Sequence, residues 1–342
     1  MFPCGIFSLH RRFTMGAAFQ QPQRFLIAAH EGDWGDDQAT ILAIVRRYFS
    51  DFNDNGFYPH PDETALQREL RAVPTLQRLS QLIGHAEARG LAITGLGLTG
   101  LGEAQRNAIL YAIALCQGFP TSTDQRTHRV AWDIRARPES GQNSRYVTFS
   151  ERVGNADMHT DSSFYPMPEE QFMLYVVSAA GCNGGETLLV DVDDIHAELQ
   201  RSEAGRAAFA LLCATPLPFR VPSVYAASDD GVEVHLAPVF QRHDGMLAMR
   251  WRHDSIVKGL AARPQHDTPA VRAALELLNE VIEFRAPRFC QQLPDDTLLW
   301  ADNRHALHGR GVYTDPARHL IRIRISDLAN AERVGPSGIS AD

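Results

Sequence analysis

The sequence lacks the features of several protein classes, beginning with cysteine. Five cysteines occur among 342 residues, at positions 4, 116, 182, 213 and 290, and no two of them have a CxxC spacing. An odd number of widely separated cysteines indicates neither a disulfide framework nor a zinc ribbon. The pattern is typical of a protein of a reducing compartment, and we expect a cytoplasmic protein.

Positive charge and long hydrophobic runs are also scarce. The chain has 33 Lys and Arg against 41 Asp and Glu, a net charge of −8, and its basic residues form no cluster along the sequence. A general nucleic-acid binder carries a basic patch, and a membrane span needs about 20 mainly apolar residues; neither occurs. Residues 1–18 also lack the apolar segment of a signal peptide. We therefore expect a small-molecule substrate and neither nucleic-acid nor membrane partners, while the oligomeric state is not predicted.

The apolar pattern changes from helical to extended near residue 129. Residues 36–120 are helix-rich, with helical periodicity at 36–50, 74–89 and 103–116 and a short buried strand at 90–96. Asp36 and Asp37 are predicted to cap the first of these helices.

Short extended segments separated by turn residues follow from residue 129. Helical patterns interrupt them at 192–212 and 268–285, where Thr268 and Pro269 are typical of a helix start. The predicted strands are Val130–Arg135, Tyr146–Ser150, Phe172–Ser178, Thr187–Asp191, Val234–Phe240, Met246–Trp251, Thr297–Ala301 and Leu320–Ile325.

This order of elements predicts an α+β, β-rich fold. Many short strands with a few helices packed outside indicate a double-stranded β-helix (jelly-roll) core at about 129–326, with a helical N-terminal region and helical insertions. No internal repeat or low-complexity linker divides the chain. We expect one domain over residues 21–330, between tails at 1–20 and 331–342.

A His-Thr-Asp motif joins His159 to Asp161. In an extended segment these two side chains point the same way. One carboxylate and two imidazoles make the facial site of non-heme Fe(II) oxygenases, which leaves coordination positions open. Similar pairs begin at His60, His85 and His196, but the last two lie in helical patterns, where positions i and i+2 diverge by about 200°. His60 lies in a turn-like polar stretch, so His159 is favoured.

The segment from residue 318 to 325 alternates sharply. Isoleucines at 321, 323 and 325 fall on one face, and arginines at 318, 322 and 324 fall on the other with Leu320. Guanidinium groups on an otherwise apolar strand indicate an anionic ligand, such as a dicarboxylate held by a planar fork. The alternative is a solvated sheet face with surface salt bridges.

These motifs resemble those of the Fe(II)/2-oxoglutarate-dependent dioxygenases, in the branch that includes taurine dioxygenase and is similar to clavaminate synthase. The similarity covers about residues 145–326. It rests on His-Thr-Asp followed by Ser-Ser-Phe, on Gly-Gly-Glu-Thr at 184–187, on Asp-Asn-Arg at 302–304 leading to His-Gly-Arg at 308–310, and on arginines at 318 and 322.

The resemblance implies a role for each of these residues. The iron ligands and catalytic residues would be His159, Asp161 and His308. Thr187 and Arg318 would hold the distal carboxylate of 2-oxoglutarate. The contacts of the primary substrate would be Asn155, Phe164 and Arg322. Three alternatives stay open: His305 in place of His308, Thr187 as a plain β-former, and Asp302-Asn303 as a plain turn.

The implied activity is oxidation of a C–H bond, most simply hydroxylation, with Fe(II), 2-oxoglutarate and O2 consumed to give succinate and CO2. Asp161 favours hydroxylation or a related oxidation over halogenation, because halogenating relatives have a small residue at that position. An anion anchor at Arg322 and Arg324 favours a small anionic substrate such as an amino acid.

Other functions fit the same residues. A sulfonate, nucleotide or carrier-bound substrate would satisfy the arginines equally well. The alternative from another class is a jelly-roll binding or regulatory module without catalysis. Phe164, Tyr165, Met167 and the stretch 222–232 are predicted to form a lid.

Overall fold

The computed structural model describes most of the chain between Arg24 and Glu332. The described residues are 24–30, 32, 34–50, 56–84, 87–123, 128–136, 152–223, 225, 232–243 and 245–332. The predicted tail 1–20, the predicted strand Tyr146–Ser150 and residues 333–342 of the predicted C-terminal tail lie outside them.

The larger sheet consists of seven strands: β1 (Phe25–Ala29), β2 (Gly90–Thr94), β3 (Phe119–Thr121), β4 (Trp132–Arg135), β6 (Gln171–Ser178), β13 (Thr297–Asp302) and β15 (His319–Ser326). Their order is β1-β2-β13-β6-β15-β3, with β4 also paired to β15. β1 and β2 run parallel, and the other pairs run antiparallel. β15 is therefore an interior strand with neighbours on both sides.

The smaller sheet consists of four strands: β5 (Ala156–His159), β7 (Thr187–Asp191), β12 (Arg288–Gln291) and β14 (Ala306–Arg310). Their order is β12-β7-β14-β5, and every pair is antiparallel. Two ribbons complete the strands, β8 (Leu217–Arg220) with β9 (Val234–Ala237) and β10 (Phe240–His243) with β11 (Met246–Met249).

The helices form two groups, one on each side of the sheets. The N-terminal group is α1 (Asp37–Tyr48), α2 (Glu63–Leu70), α3 (Pro74–Ile83) and α4 (Glu103–Gln117). The second group is α5 (Val192–Gln200), α6 (Glu203–Ala214), α7 (His253–Ala262) and α8 (Pro269–Glu280), which continues as a π-helical turn at Val281–Arg285. Short 3-10 turns lie at Pro264–His266 and Asn330–Glu332. In the part of the chain that the structure describes, no helix has both the length and the apolar character of a membrane span.

The two faces of β15 have different surroundings. Ile321, Ile323 and Ile325 are at most 1 % exposed and pack in one core with the N-terminal helices. Each such side chain contributes roughly 1.5–3 kcal/mol when fully buried. The opposite face carries Arg322 and Arg324, which are also buried. The predicted alternation is confirmed, and the solvated-face alternative is wrong.

Several predicted elements need correction. The predicted strand Val234–Phe240 is two strands, because Pro238 lies between them and has no N–H for a ladder. Asp36 makes no capping hydrogen bond, and Asp37 instead accepts from the N–H and hydroxyl of Thr75 on α3. The predicted cap at Thr268 is confirmed, since its hydroxyl accepts from the N–H of Val271.

The N-terminal region is also less purely helical than predicted. Besides β2, which falls within the predicted strand 90–96, it supplies β1 and β3 to the seven-stranded sheet. The fold as described is a β-rich mixture of sheets and helices, in agreement with the coarser part of the fold prediction.

Candidate active site

Strands β5 and β14 bring two histidines together. His159 closes β5, His308 lies in the middle of β14, and the two are direct partners across the antiparallel pair. Partners in such a pair project from the same face of the sheet. The centroids of their rings lie 4.2 Å apart.

Asp161 completes the cluster from the segment that follows β5. Its Oδ1 lies 3.8 Å from Nε2 of His159 and 4.0 Å from Nε2 of His308. One possible ligand atom from each residue lies within 4.8 Å of the others, and all three residues are buried. The predicted convergence is therefore present in the structure.

Protonation in the cluster suits a metal. Burial lowers the pKa of His308 to about 4 and lowers the pKa of His159 well below its ordinary value, so both rings are neutral near pH 7. Nδ1 of His159 donates to the carbonyl of Asp157 at 2.8 Å, which leaves its Nε2 as the lone-pair donor. Burial opposes ionisation of Asp161, but the charges of Arg322 and Arg324 outweigh it and hold the pKa of this carboxyl well below its usual range.

The donor set fits a divalent metal such as Fe(II). Metal ligands must be deprotonated, and two neutral imidazoles with an ionised carboxylate meet this condition. Oδ2 of Asp161 is buried and has no hydrogen-bond partner among the described residues. Two nitrogen donors and one carboxylate on one side of the ion leave other positions open for a co-substrate and oxygen.

Asn303 fixes the backbone of Asp161. Its side-chain oxygen accepts from the N–H of Asp161 at 2.7 Å, and its side-chain nitrogen donates to the carbonyls of Asp161 at 3.1 Å and Glu169 at 2.7 Å. Asn303 is 2 % exposed. The plain-turn interpretation of this residue is wrong, although Asp302 does cap the turn through the N–H groups of Arg304 and His305. In the sequence, the feature that indicates this role of Asn303 is an amide side chain directly after a buried strand and five residues before His308.

The arginines of β15 have different partners. Nη1 of Arg322 lies 3.2 Å from Oδ1 of Asp161. Arg324 donates to the hydroxyl of Ser162 at 2.7 Å, and its Nε lies 3.8 Å from Oδ2 of Asp161. Ser162 has a φ of 57°, which is uncommon for a residue other than glycine. Arg324 is thus bonded within the protein, beside a strained residue next to Asp161.

A small cavity of about 50 Å³ opens beside the two histidines, and we call it the Arg318 cavity. Its lining consists of Ile134, Ala156, His159, Leu174, Thr187, His308, Gly309, Arg310, Arg318, Leu320 and Arg322. No carboxylate of the described residues forms an ion pair with Arg318 or Arg310. Burial, followed by the charge of Arg310, lowers the pKa of Arg318 to about 10. A buried cation of this kind is typical of an anion-binding site.

The alternative histidines lie elsewhere. Nδ1 of His305 lies 2.7 Å from Asp302, and this residue is absent from the metal cluster. Nε2 of His60 lies 2.9 Å from the carbonyl of Tyr48. Of the histidines weighed from the sequence, the structure therefore brings His308 to His159.

Two predicted substrate contacts lie outside the lining of the Arg318 cavity. The side chain of Asn155 is exposed and donates to Asp157 at 2.8 Å. Phe164 is 2 % exposed and stacks on Tyr225, with ring centroids 5.5 Å apart. The latter contact joins the two predicted lid segments, but residues 224 and 226–231 of the second segment lie outside the described residues.

A second, larger cavity has a volume of about 370 Å³. Thr160 and Asn303 contribute to its wall, whereas His159, Asp161 and His308 do not. Its lining mixes charges of both signs, including the ion pair of Arg304 with Glu170. This cavity is separate from the metal cluster.

The chain matches one protein family by sequence. Residues 70–324 fit the family described as "Taurine catabolism dioxygenase TauD, TfdA family". No curated protein is significantly similar to the chain in sequence.

Solved structures of iron oxygenases share the fold. An asparagine oxygenase in complex with Fe(II), 2S,3S-3-hydroxyasparagine and succinate is 16 % identical, with a TM-score of 0.65 over 89 % of this chain and 94 % of that chain. The non-heme iron oxygenase OrfP with Fe and alpha-ketoglutaric acid is 16 % identical, with a TM-score of 0.61 over 88 % of this chain and 94 % of that chain. OrfP with Fe and L-Arg gives 14 % identity and a TM-score of 0.58 over 90 % and 96 % of the two chains.

Proposed function

The chain belongs to the TauD, TfdA family of dioxygenases, and we propose that it hydroxylates a C–H bond of an amino acid in a reaction that depends on Fe(II) and 2-oxoglutarate. The observation that carries this proposal is the buried cluster of His159, Asp161 and His308, whose two histidines line the Arg318 cavity. The cluster offers the ligands of a non-heme iron, and the cavity offers a cationic end for a dicarboxylate.

In this proposal His159, Asp161 and His308 hold the iron. When bound, the iron supplies the oxidising chemistry, which couples decarboxylation of 2-oxoglutarate to succinate and CO2 with oxidation of a C–H bond by O2. The protein supplies orientation: Asn303 fixes the backbone of Asp161, and Asp157 fixes the ring of His159. Such outer contacts determine how ligands face the metal.

Thr187 and Arg318 hold the distal carboxylate of 2-oxoglutarate. Both are buried and line the same cavity as the histidines. A planar guanidinium suits a carboxylate, and the hydroxyl of Thr187 adds a donor. Burial strengthens this contact because little water competes for the charge.

The primary substrate approaches from the side of Arg322. This residue lies between Asp161 and the Arg318 cavity and carries a charge that suits a substrate carboxylate. Asn155 and Phe164 are proposed as further contacts of the substrate. An amino acid is favoured because neighbours of the same fold were solved with 3-hydroxyasparagine and with L-Arg.

We further propose that the two sheets form a double-stranded β-helix in a single domain over residues 21–330. The support is the placement of His159 and His308 on β5 and β14 of the smaller sheet, while Arg322 and Arg324 come from β15 of the larger sheet. A site between two sheets of a β-rich core is common in such folds.

The experiment is succinate formation with Fe(II), 2-oxoglutarate and a panel of free amino acids and sulfonic acids. We expect succinate formation to rise strongly with one or a few amino acids and a hydroxylated product of +16 mass units, that is, of one added oxygen. Asp161→Gly is the matched inactive variant, because it removes the anionic ligand. If only sulfonic acids stimulated succinate formation, the substrate would be a sulfonate and not an amino acid. If Asp161→Gly turned over as fast as the parent, the proposed metal site would be wrong.

A further inference from the structure

Tyr313 lies between the two buried arginines of the cavity. The guanidinium carbon of Arg310 lies 4.6 Å from the centroid of the Tyr313 ring, and that of Arg318 lies 5.0 Å from it. All three side chains are buried, and Tyr313 is only 2 % exposed. Both distances are within the range of cation–π contacts, about 6 Å, which strengthen when water is excluded.

Arg310 faces main-chain oxygens. It donates to the carbonyls of Arg152, Gly154 and Asn155 at 3.2–3.3 Å. These carbonyls precede β5, the strand that ends at His159. Arg310 is therefore held in place by the segment that leads into the metal cluster.

The backbone of Tyr313 is fixed on two sides. The N–H of Gly154 donates to its carbonyl at 2.9 Å, and the N–H of Gly185 donates to the carbonyl of Val312 at 3.1 Å. A Cβ at Gly184 would lie 2.1 Å from that Val312 oxygen, so only glycine permits this approach. The hydroxyl of Tyr313 donates to the carbonyl of Arg152 at 3.1 Å. The ring consequently has little freedom to move.

A long arginine side chain loses much of its rotamer freedom when it is fixed. A ring that already restricts the guanidinium reduces this loss at the moment of ligand binding. Because no carboxylate of the described residues forms an ion pair with Arg318, the face of Tyr313 is a contact that restrains it without neutralising its charge.

We propose that Tyr313 is a positioning residue for 2-oxoglutarate: its ring face holds the guanidinium of Arg318 in the orientation that receives the distal carboxylate. This inference rests on the proposed function, which gives Arg318 that ligand. It adds a residue that touches neither the metal nor the substrate, and it explains why the segment 311–313 approaches Gly184 and Gly185 so closely.

The test compares Tyr313→Leu with Tyr313→Phe in binding rather than in turnover. Anaerobic titration of the Fe(II)-loaded protein, followed by the absorption of the metal–keto-acid chelate, gives dissociation constants for 2-oxoglutarate and for 2-oxobutyrate. The second acid has the chelating end but lacks the distal carboxylate. We expect Tyr313→Leu to weaken 2-oxoglutarate about tenfold and to leave 2-oxobutyrate unchanged, whereas Tyr313→Phe, which keeps the ring face, stays within about threefold of the parent.

Tyr111→Leu is the matched control. Tyr111 is a fully buried tyrosine that stacks on Phe57 in the N-terminal helical layer, so its loss lowers thermal stability without changing either dissociation constant. If Tyr313→Leu fails to fold, Tyr313→Met gives the same comparison. Equal weakening of both acids, or unchanged 2-oxoglutarate affinity, would overturn this inference alone. A parent protein that binds no 2-oxoglutarate would overturn the proposed function instead.

Discussion

Arg322 and Arg324 lie on one face of β15, Arg318 directly precedes the strand, and the three have different surroundings. Arg324 is bonded to Ser162 and lies near Asp161, so its charge is used within the protein. Arg318 is buried beside Tyr313, in the cavity that also contains Thr187. Arg322 lies between them, 3.2 Å from the carboxylate of Asp161. We propose that Arg318 serves the co-substrate and Arg322 the substrate, whereas Arg324 is held by Ser162.

Arg318→Ala and Arg322→Ala should affect different substrates. Residues four positions apart on a strand are roughly 13 Å apart, too far for one small dicarboxylate to meet both head-on. We expect Arg318→Ala mainly to raise the KM for 2-oxoglutarate, and Arg322→Ala mainly to raise the KM for the amino acid while uncoupled 2-oxoglutarate turnover stays measurable. Loss of a charge-assisted hydrogen bond costs roughly 1.5–3 kcal/mol, so each effect should be about tenfold or more.

Steady-state kinetics in which one co-substrate is varied at a time measure this division. Arg272→Ala is a suitable control, because Arg272 is an exposed residue of α8 whose ion pair with Asp267 lies on the surface. The roles would be exchanged if Arg322→Ala raised the KM for 2-oxoglutarate and Arg318→Ala spared it.

Asn303 allows a second residue-level prediction. Asn303→Asp keeps an oxygen that accepts from the N–H of Asp161 but removes the donors to the carbonyls of Asp161 and Glu169. The segment that carries Asp161 should then lose its alignment with the two histidines. Substitution of residues that orient metal ligands typically weakens metal binding about 10–100-fold, and we expect an Fe(II) dissociation constant raised by that amount.

The same substitution at Asn330 controls for the loss of donors. Asn330 also donates to two oxygens, of Glu63 and Pro120, and neither of these residues belongs to the metal cluster. Asn330→Asp should lower stability and leave the Fe(II) dissociation constant unchanged. Equal metal affinity of Asn303→Asp and the parent would show that the Asn303 contacts do not orient the ligand.

At the scale of elements, the strands that could be predicted are those with their own apolar pattern. β7 has the predicted bounds, Thr187–Asp191, and the predicted strands near β6, β13 and β15 agree to within one residue at each end. β5 and β14 were missed because Ala-Asp-Met-His and Ala-Leu-His-Gly-Arg contain few β-formers. Their pairing depends on distant neighbours, so only the motif resemblance indicated that His159 and His308 meet.

Gly309 gives a prediction for the β5–β14 pair. A Cβ at this position would lie 2.6 Å from the sulfur of Met158 and 2.9 Å from the carbonyl of Ala156, both on β5. Gly309→Ala should therefore push β14 from β5 and separate His308 from His159. We expect Fe(II) affinity to fall at least tenfold, with a lower melting temperature, since crowding of this kind costs roughly 1–3 kcal/mol.

Gly100→Ala is the control for this substitution, because no atom lies within 4 Å of its added Cβ and Gly100 has no positive φ. Both proteins are compared by calorimetric titration with Fe(II) under anaerobic conditions. An Fe(II) affinity of Gly309→Ala equal to that of Gly100→Ala would mean that the spacing of the two strands does not control the metal cluster.

At the scale of the whole molecule, the N-terminal third is part of the architecture that carries the site. Its helices share one core with the isoleucines of β15, and β2 pairs with β13. The sequence predicted α1, α3 and α4 from their periodicity, but not α2. It did not predict β1 and β3, because these short strands gain most of their stability from sheet partners far away in the chain.

Folding of the whole chain also sets the charge of two histidines, the buried His308 and the partly exposed His235, and this affects how stability depends on pH. Burial lowers the pKa of His308 to about 4, and burial with the charge of Arg250 lowers that of His235 to about 4. An imidazole in the unfolded chain titrates near pH 6.5. Between about pH 6.5 and 4 the unfolded state therefore binds more protons than the folded state, and the free energy of unfolding falls as the pH decreases.

We expect the metal-free protein, kept in a chelator, to lose stability progressively from pH 6.5 to 4.5 and to show little change from these groups between pH 7 and 8.5. The free energy of unfolding should change by at most about 1.4 kcal/mol per pH unit for each imidazole whose pKa is fully shifted. Urea unfolding at several pH values measures it. His235→Gln removes one such group, which is partly exposed on β9. This variant should therefore lose less free energy of unfolding than the parent when the pH falls from 6.5 to 4.5. Above pH 7 the difference in free energy of unfolding between the two proteins should stay constant. A free energy of unfolding that stayed level or rose from pH 7 to 5 would show that the folded protein does not keep these rings neutral.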